Sequence, residues 1–196
     1  MPSSPDKTYL RRSLLSARQA LSSDQWRQDS DRLCTHLRTW PTFEQAKTVL
    51  AYFSFRQEPD LSPLFALPKQ WGFPRCVRKE MTWHTWSPTA ADSTTPYPIQ
   101  TGAYGILEPH PDAPTLYPQD VDLMLIPAVA CDEHGYRLGY GGGFYDRLLS
   151  LPIWTEKPTV GIVFQNARLL CLPHDPWDKP LQAICTETGV SLSRLI

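Results

Sequence analysis

The stretch RLGYGGGFYDRLL, residues 137–149, carries four glycines in five positions and follows them at once with Phe144, Tyr145, Asp146 and Arg147. The chain holds ten glycines in 196 residues, and Gly135, Gly139, Gly141, Gly142 and Gly143 put half of them within nine positions. Glycine serves where φ must be positive or where a ligand must touch the backbone, and successive free N–H groups in such a loop form a concave anion site. A helix starting near Phe144 would point its amide-rich end the same way. Phosphate suits that chemistry, with Arg137 as a clamp and Asp146 as a carboxylate able to hold Mg2+ against the same oxygens. Asp146 reads equally as an ordinary first-turn acid, and Arg147 as a solvated base. No GxxxxGK[ST] occurs, and Phe144 stands where a GxGxxG counted from Gly139 would need its last glycine. The phosphate site is therefore neither a P-loop nor a dinucleotide fingerprint.

Such a loop needs elements to carry it. VDLMLIPAVACD, residues 121–132, is nearly continuous in apolar residues, as a parallel strand covered on both faces would be. Residues 145–151 read as a helix and PTVGIVF, 158–164, as another central strand. Strand, glycine loop, helix, strand is the layout of an α/β sheet with a ligand at its carboxyl edge. LQAICTET, 181–188, reads as the last strand. Toward the other end, Ser4 and Pro5 form a cap and first-turn pair for a helix bearing Leu10, Leu14, Leu15 and Leu21. A second helix opens at Ser22 or Ser23, has Asp24 in its first turn, turns Trp26, Leu33 and Leu37 inward and stops before Pro41. KTVLAYFSF, 47–55, reads as a strand and PDLSPLFAL, 59–67, as a short helix. WGFPRCV and MTWHTW read as two further strands, the first with a proline that signals an edge or a bulge. Residues 87–118, proline-rich and weakly periodic, read as a long surface excursion.

Composition narrows the field. Hydrophobic residues at 41% and charged residues at 20% are ordinary globular usage, which argues against disorder, and the longest apolar run, Leu123 to Cys131, is too short to span a bilayer. A net charge of −1 offers no long-range attraction for nucleic acid, so small molecules are the expected partners. Five cysteines, Cys34, Cys76, Cys131, Cys171 and Cys185, form no CxxC pair and read as reduced thiols; no histidine stands at zinc-ligand spacing from a cysteine pair. The first 23 residues are Arg- and Ser-rich with Asp6 their only acid, the composition of a transit peptide, yet their leucine spacing reads as a folded helix; the reduced thiols fit a cytoplasmic protein, and a monomer is the expectation.

RLGYGGGFYDRLL closely resembles the signature of the 5-formyltetrahydrofolate cyclo-ligases, also called methenyltetrahydrofolate synthetases. Lys7 with Arg11, SFRQEPDL at 54–61, YGILEP at 104–109 and VDLMLIPAVACDEHGYRLG agree with the same family in order, and the agreement is weakest over 87–100 and the last ten residues. The resemblance implies one domain over residues 1–196, a three-layer α/β/α fold with a mainly parallel central sheet, Rossmann-like and of the CoA-transferase-like kind. It implies cyclisation of 5-formyltetrahydrofolate to 5,10-methenyltetrahydrofolate with Mg2+ and ATP, releasing ADP and phosphate through phosphorylation of the formyl oxygen.

The resemblance also assigns residues. Lys7, Arg11, Arg137, Leu138, Gly139, Tyr140, Gly141, Gly142, Gly143, Phe144 and Tyr145 correspond to the ATP site. Phe53, Glu58 and Tyr140 to Phe144 correspond to the folate site. Arg137, Tyr145 and Asp146 correspond to the catalytic set. Asp146 matches one metal acid and Asp178 the second, with Asp175 the alternative because HDPWDKP offers both. Glu58 has a physical rationale of its own, since a pterin edge presents paired N–H donors that a carboxylate accepts bidentately. Trp83, Trp86 and Tyr104 are candidates for stacking on the folate, although any one of seven tryptophans is as well placed in a core. Taken alone, Lys7 and Arg11 at i, i+4 would read as a solvated basic face continued by Arg18. Phe144 stands where relatives often carry tyrosine, and Tyr140 where they carry other large residues. Two rival functions remain, a non-catalytic nucleotide or folate binder and another small-molecule phosphotransferase on the same fold, and only the folate-side residues separate them.

Overall fold

Five strands run parallel through the middle of an eight-stranded sheet: β1 (Thr48–Leu50), β2 (Gln70–Val77), β7 (Leu123–Pro127), β10 (Thr159–Ile162) and β12 (Ala183–Thr186). The structure is a computed structural model and describes residues 6–88 and 97–194. Antiparallel strands extend the sheet at both sides, β3 (Glu80–Thr85) and β6 (Thr115–Leu116) beyond β2, and β13 (Gly189–Leu192) beyond β12. The spatial order is β13-β12-β10-β7-β1-β2-β3-β6. From β1 the chain crosses to β2 on one side, then returns to β7, β10 and β12 on the other, so the order reverses between β1 and β7. Open α/β sheets bind ligands at such a reversal, outside the carboxyl ends of the strands.

Both faces of the parallel strands are covered, and the alternation of side chains shows how. Val49, Leu123, Leu125, Val160, Ile162, Ala183 and Cys185 pack with Leu33, Leu37 and Phe43 of two helices, α2 (Ser23–Arg38) and α3 (Pro41–Gln45). Their neighbours Leu50, Met124, Ile126 and Ile184 face the opposite way, onto Leu148 and Leu149 of α4 (Phe144–Leu149) and Trp154 of α5 (Pro152–Thr155). Leu10, Leu14 and Leu15 of α1 (Lys7–Gln19) join that second layer. Strands buried on both faces read as continuous hydrophobic runs, which is why β7 was the most legible element.

Gly161 is the exception in β10, and its neighbours explain it. A Cβ there would stand 2.7 Å from Cys131 Sγ and 3.0 Å from Leu181 Cδ1. Gly161→Ala is expected to destabilise the fold by about 1–3 kcal/mol through overpacking, read as a lower denaturant midpoint at unchanged m-value.

Several elements differ from the sequence-based expectation. Ser4 and Pro5 lie outside the described residues, and the cap of α1 is Asp6, whose side chain accepts from Thr8 N–H at 3.0 Å. The strand expected over 47–55 ends at Leu50, because the chain then leaves the sheet to build a loop. The expected helix over 59–67 is one 3-10 turn, Ser62–Leu64. Pro74 lies past Gly72, the last residue of β2 paired with β1, so it sits where that side of the strand has no ladder partner. The excursion after Trp86 carries a hairpin, β4 (Ile99–Thr101) with β5 (Leu107–Pro109), and then β6, while residues 89–96 lie outside the described ones. Arg75 fastens the hairpin to β2 through an ion pair with Glu108 at 2.8 Å. The apolar run 121–132 divides, since Ala130–Asp132 leaves the main sheet as β8 and pairs with β9 (Arg137–Leu138) and β11 (Arg168–Leu169) in a small second sheet. Residues 181–188 are not the last strand, because β12 turns back into β13. Among the described residues no helix is long and apolar enough to cross a membrane.

Candidate active site

The loop leaving β1 is bent by Arg56 and Gln57, two consecutive residues with left-handed backbone at φ 49° and 55°. Strained non-glycine residues of this kind persist only where surrounding contacts hold them, and they cluster at functional sites. Two contacts do so here: Arg18 Nε donates to Arg56 O at 3.0 Å, and Gln57 Nε2 donates to Leu21 O at 3.2 Å. The bend turns Glu58 inward until it is 3% exposed. Its main-chain carbonyl accepts from Trp26 Nε1 at 2.8 Å and Ser54 Oγ at 2.7 Å. Its carboxylate accepts from Phe55 N–H at 3.1 Å and from the Tyr140 hydroxyl at 2.9 Å. Burial pushes the Glu58 carboxyl up to about 7, against the opposing pull of Arg18, of the Tyr140 hydroxyl and of the Phe55 amide. An acid so placed is poised at neutral pH.

Tyr140 belongs to the glycine loop, so that loop and the β1 loop meet at Glu58. The turn itself rests on Gly141 at φ 98° and Gly143 at φ 66°, conformations that cost other residues strain. Around Gly139 there is open space: no atom lies within 4 Å of where a Cβ would stand. Arg11 Nε donates to Gly139 O at 2.7 Å, and its guanidinium lies 3.8 Å from a Cβ built on Gly141. Arg147 braces the other side, donating to Gly142 O at 3.0 Å and to Lys79 O at 2.8 Å. Leu138, the last residue before the loop opens, is buried in the core with its carbonyl accepting from Val129 N–H at 2.8 Å. Gly135 is separate from this loop; it serves the β8–β9 turn, where a side chain would strike the Leu181 backbone.

Lys7 and Arg11 do share one side of α1, as their spacing predicts. Lys7 Nζ reaches Asp175 Oδ2 at 2.6 Å and Asp178 Oδ2 at 2.8 Å. Both candidate acids of HDPWDKP thus meet the same cation, and Asp178 is the deeper, with its side chain 12% exposed against 43% for Asp175. Burial opposes ionisation of Asp178, but the Lys7 and Asp175 N–H hydrogen bonds and the charges of Lys7 and Arg137 hold its carboxyl below the usual range. Arg137 therefore lies within charge reach of Asp178 while its Nη2 bonds Asp146 Oδ1 at 2.5 Å. Its Nη1 donates to Lys179 O at 2.7 Å and the side chain is 5% exposed, so both arms of the Arg137 guanidinium are engaged within the protein. Asp146 lies in the first turn of α4, a helix of only six residues, and the cap is Gly143, without a side-chain bond. Among the described residues no three His, Cys, Asp or Glu side chains converge as a metal cage.

The aromatic candidates divide. Phe53 stacks on Phe73 at 4.2 Å and meets Trp86 edge-on at 5.2 Å, half-buried beside the β1 loop. Trp83 is 2% exposed in the core between Tyr145 and Trp154 and offers no surface for stacking. Tyr104, 67% exposed, reaches over the glycine loop to Phe144 at 6.1 Å. Burial and then the Glu58 charge push the Tyr145 hydroxyl up, which keeps it protonated as a donor.

Sequence reasoning missed Arg18. Far from continuing a solvated face, it is 6% exposed, and besides Arg56 O it bonds the Tyr140 hydroxyl and, at 3.3 Å, Ala128 O. The available signal was the spacing of Lys7, Arg11, Leu14 and Arg18 along one stripe of α1.

The 5-formyltetrahydrofolate cyclo-ligase family profile matches residues 3–187. The 5-formyltetrahydrofolate cyclo-ligase of Escherichia coli K12 is 32% identical over 192 residues, covering 88% of this chain and 96% of its own. Among solved structures, the 5,10-methenyltetrahydrofolate synthetase of Aquifex aeolicus, determined by NMR, superposes with a TM-score of 0.82 at 33% identity, over 96% of this chain and 93% of its own. The Mycoplasma pneumoniae 5,10-methenyltetrahydrofolate synthetase shares the fold, with a TM-score of 0.71 at 22% identity over 93% of this chain and 99% of its own.

Proposed function

The chain belongs to the 5-formyltetrahydrofolate cyclo-ligase family, and from that premise we propose that it converts 5-formyltetrahydrofolate and ATP to 5,10-methenyltetrahydrofolate, ADP and phosphate. The observation that carries the reading is the meeting at Tyr140 of two differently equipped loops. One supplies open backbone flanked by cations, suited to phosphate, and the other a buried carboxylate, suited to a pterin edge.

The formyl oxygen attacks the γ-phosphorus and ADP leaves; N10 then bonds to the activated carbon, loses its proton, and the C–O bond breaks to release phosphate. Phosphoryl transfer of this kind asks the protein mainly for positioning and charge neutralisation. Amides of Gly141 to Gly143, with Lys7 and Arg11, hold the phosphates. Phe144, Tyr145 and Phe53 wall the space between the substrates, and Glu58 accepts the pterin donors with lone pairs left over from Phe55 and Tyr140. Six residues of α4 give little dipole, so side-chain cations and the loop amides carry the charge term.

Asp146 and Asp178 suit Mg2+, which binds through one or two carboxylates and completes its shell with phosphate oxygens and water. A bound ion would supply neutralisation of the transferring phosphoryl group. Arg137 holds Asp146 in its rotamer, while Lys7 keeps the second acid ionised. The protein works on small molecules, in our reading as a cytoplasmic monomer with its five cysteines free, as they are here.

The test is to mix purified protein with 5-formyltetrahydrofolate and Mg-ATP and follow the near-ultraviolet absorbance of the methenyl product. Growth of that band, dependent on all three components, is the expected result. A flat trace from protein that still binds ATP would replace the enzyme with a non-catalytic binder.

A further inference from the structure

Arg18 sits where the sheet order reverses. Its guanidinium ties the loop after β1, through Arg56 O, to the loop after β7, through Ala128 O, and its remaining arm bonds the Tyr140 hydroxyl. Tyr140 in turn donates to Glu58 Oε1. One buried cation therefore spans the crevice between β1 and β7 and reaches the glycine loop as well. A solvated arginine could be deleted from the face of α1 at little cost. This one ties together two loop carbonyls, a tyrosine hydroxyl shared between two partners and, through that hydroxyl, a carboxylate withdrawn from water.

Given the folate reading above, we propose that Arg18 is a positioning residue for the pterin side of the reaction: it holds Tyr140 and the bent 56–58 segment in register so that the free lone pairs of Glu58 face the substrate. The groups facing Glu58 are Arg18 from α1, Tyr140 from the glycine loop, Tyr145 from α4 and Tyr52 from the end of β1. Arg18 is the cation among those groups; the three tyrosines are held protonated by burial and by the Glu58 charge itself. Removing Arg18 takes away the charge that opposes burial, so Glu58 must hold its proton to higher pH. An uncharged Glu58 has one acceptor oxygen fewer for the paired pterin donors.

Arg18→Met, Arg18→Lys and Tyr140→Phe would be compared with the unmodified protein by calorimetric binding of 5-formyltetrahydrofolate and of Mg-ATP from pH 6 to 9. Arg18→Met is expected to weaken folate binding at pH 7 by about fivefold, to move the pH midpoint of that binding upward by about one unit, and to regain affinity at pH 9, with ATP binding within about threefold of normal. Arg18→Lys keeps the charge and is expected to restore the midpoint but not the full affinity, because an ammonium cannot reproduce the fork. Tyr140→Phe, which removes only the shared hydroxyl, shifts the midpoint in the same upward direction, and it tests the network even if Arg18→Met fails to fold. Equal weakening at every pH, or parallel loss of ATP binding, would overturn the proposal and leave Arg18 as a structural tie. Failure of the unmodified protein to bind 5-formyltetrahydrofolate would instead overturn the proposed function.

Discussion

Asp146→Asn is expected to lower metal-dependent turnover by about 10²–10³-fold while shifting stability by only about 1 kcal/mol. The two effects separate because the geometry separates them. Asparagine keeps an oxygen where Arg137 Nη2 now bonds Asp146 Oδ1, Arg137 retains Lys179 O, and the Asp146 side chain is 35% exposed, so water screens part of the lost charge. What cannot be kept is the anionic oxygen that a hard divalent cation requires. Initial rates against Mg2+ concentration, set beside denaturant midpoints, check this. If stability falls by several kcal/mol while turnover per folded molecule is unchanged, Asp146 serves the α4 turn and not the chemistry.

Glu58→Gln is the second large effect. The kcat/KM for 5-formyltetrahydrofolate is expected to fall by about 10²-fold or more, since a site built to pair buried donors loses heavily when one acceptor is changed into a donor. The ATP half of the site, on the other loop, should change little. A pH signature accompanies it. The Glu58 carboxyl titrates at about 7 in the folded chain against 4.5 ordinarily, so the folded state holds this proton more tightly than the unfolded state does. Its contribution to stability is thus fully present below about pH 4.5 and is lost as pH rises through about 7. That loss is on the order of 3 kcal/mol. Unfolding free energy of the unmodified protein should decline across that window, and the glutamine variant should lack that part of the decline. Identical pH profiles for the two proteins would mean that Glu58 is solvated when folded.

The sheet was largely legible because its central strands are covered on both faces and therefore read as apolar runs: residues 123–127, 159–162 and 183–186 all fall inside segments recognised from sequence. Boundaries were less so. Nothing in KTVLAYFSF marks where the strand ends: Ala51 N–H still donates to Gly72 O at 2.8 Å, and Tyr52 to Phe55, of the same apolar character, run on into the loop that Arg18 ties down at Arg56 O. Likewise VDLMLIPAVACD is one hydrophobic run in sequence and two strands of different sheets in space. Both halves are buried, and burial alone does not say against which partner.

Sequence by itself determined the chemistry on offer: a glycine loop followed by an acid, two cations one helical turn apart, an acidic residue beside an aromatic strand end, and a likeness to one enzyme family carried by those residues. Tertiary structure decided how they are used. It paired Lys7 with Asp175 and Asp178 together, assigned Arg137 to Asp146, sent Trp83 to the core, and drew Arg18 from a presumed solvent face into contact with Tyr140. The physical reason is that a charge's role depends on what desolvates and opposes it. Local spacing places Arg18 on the right stripe of α1, but only the packing of two distant loops against that stripe makes the same guanidinium a buried tie.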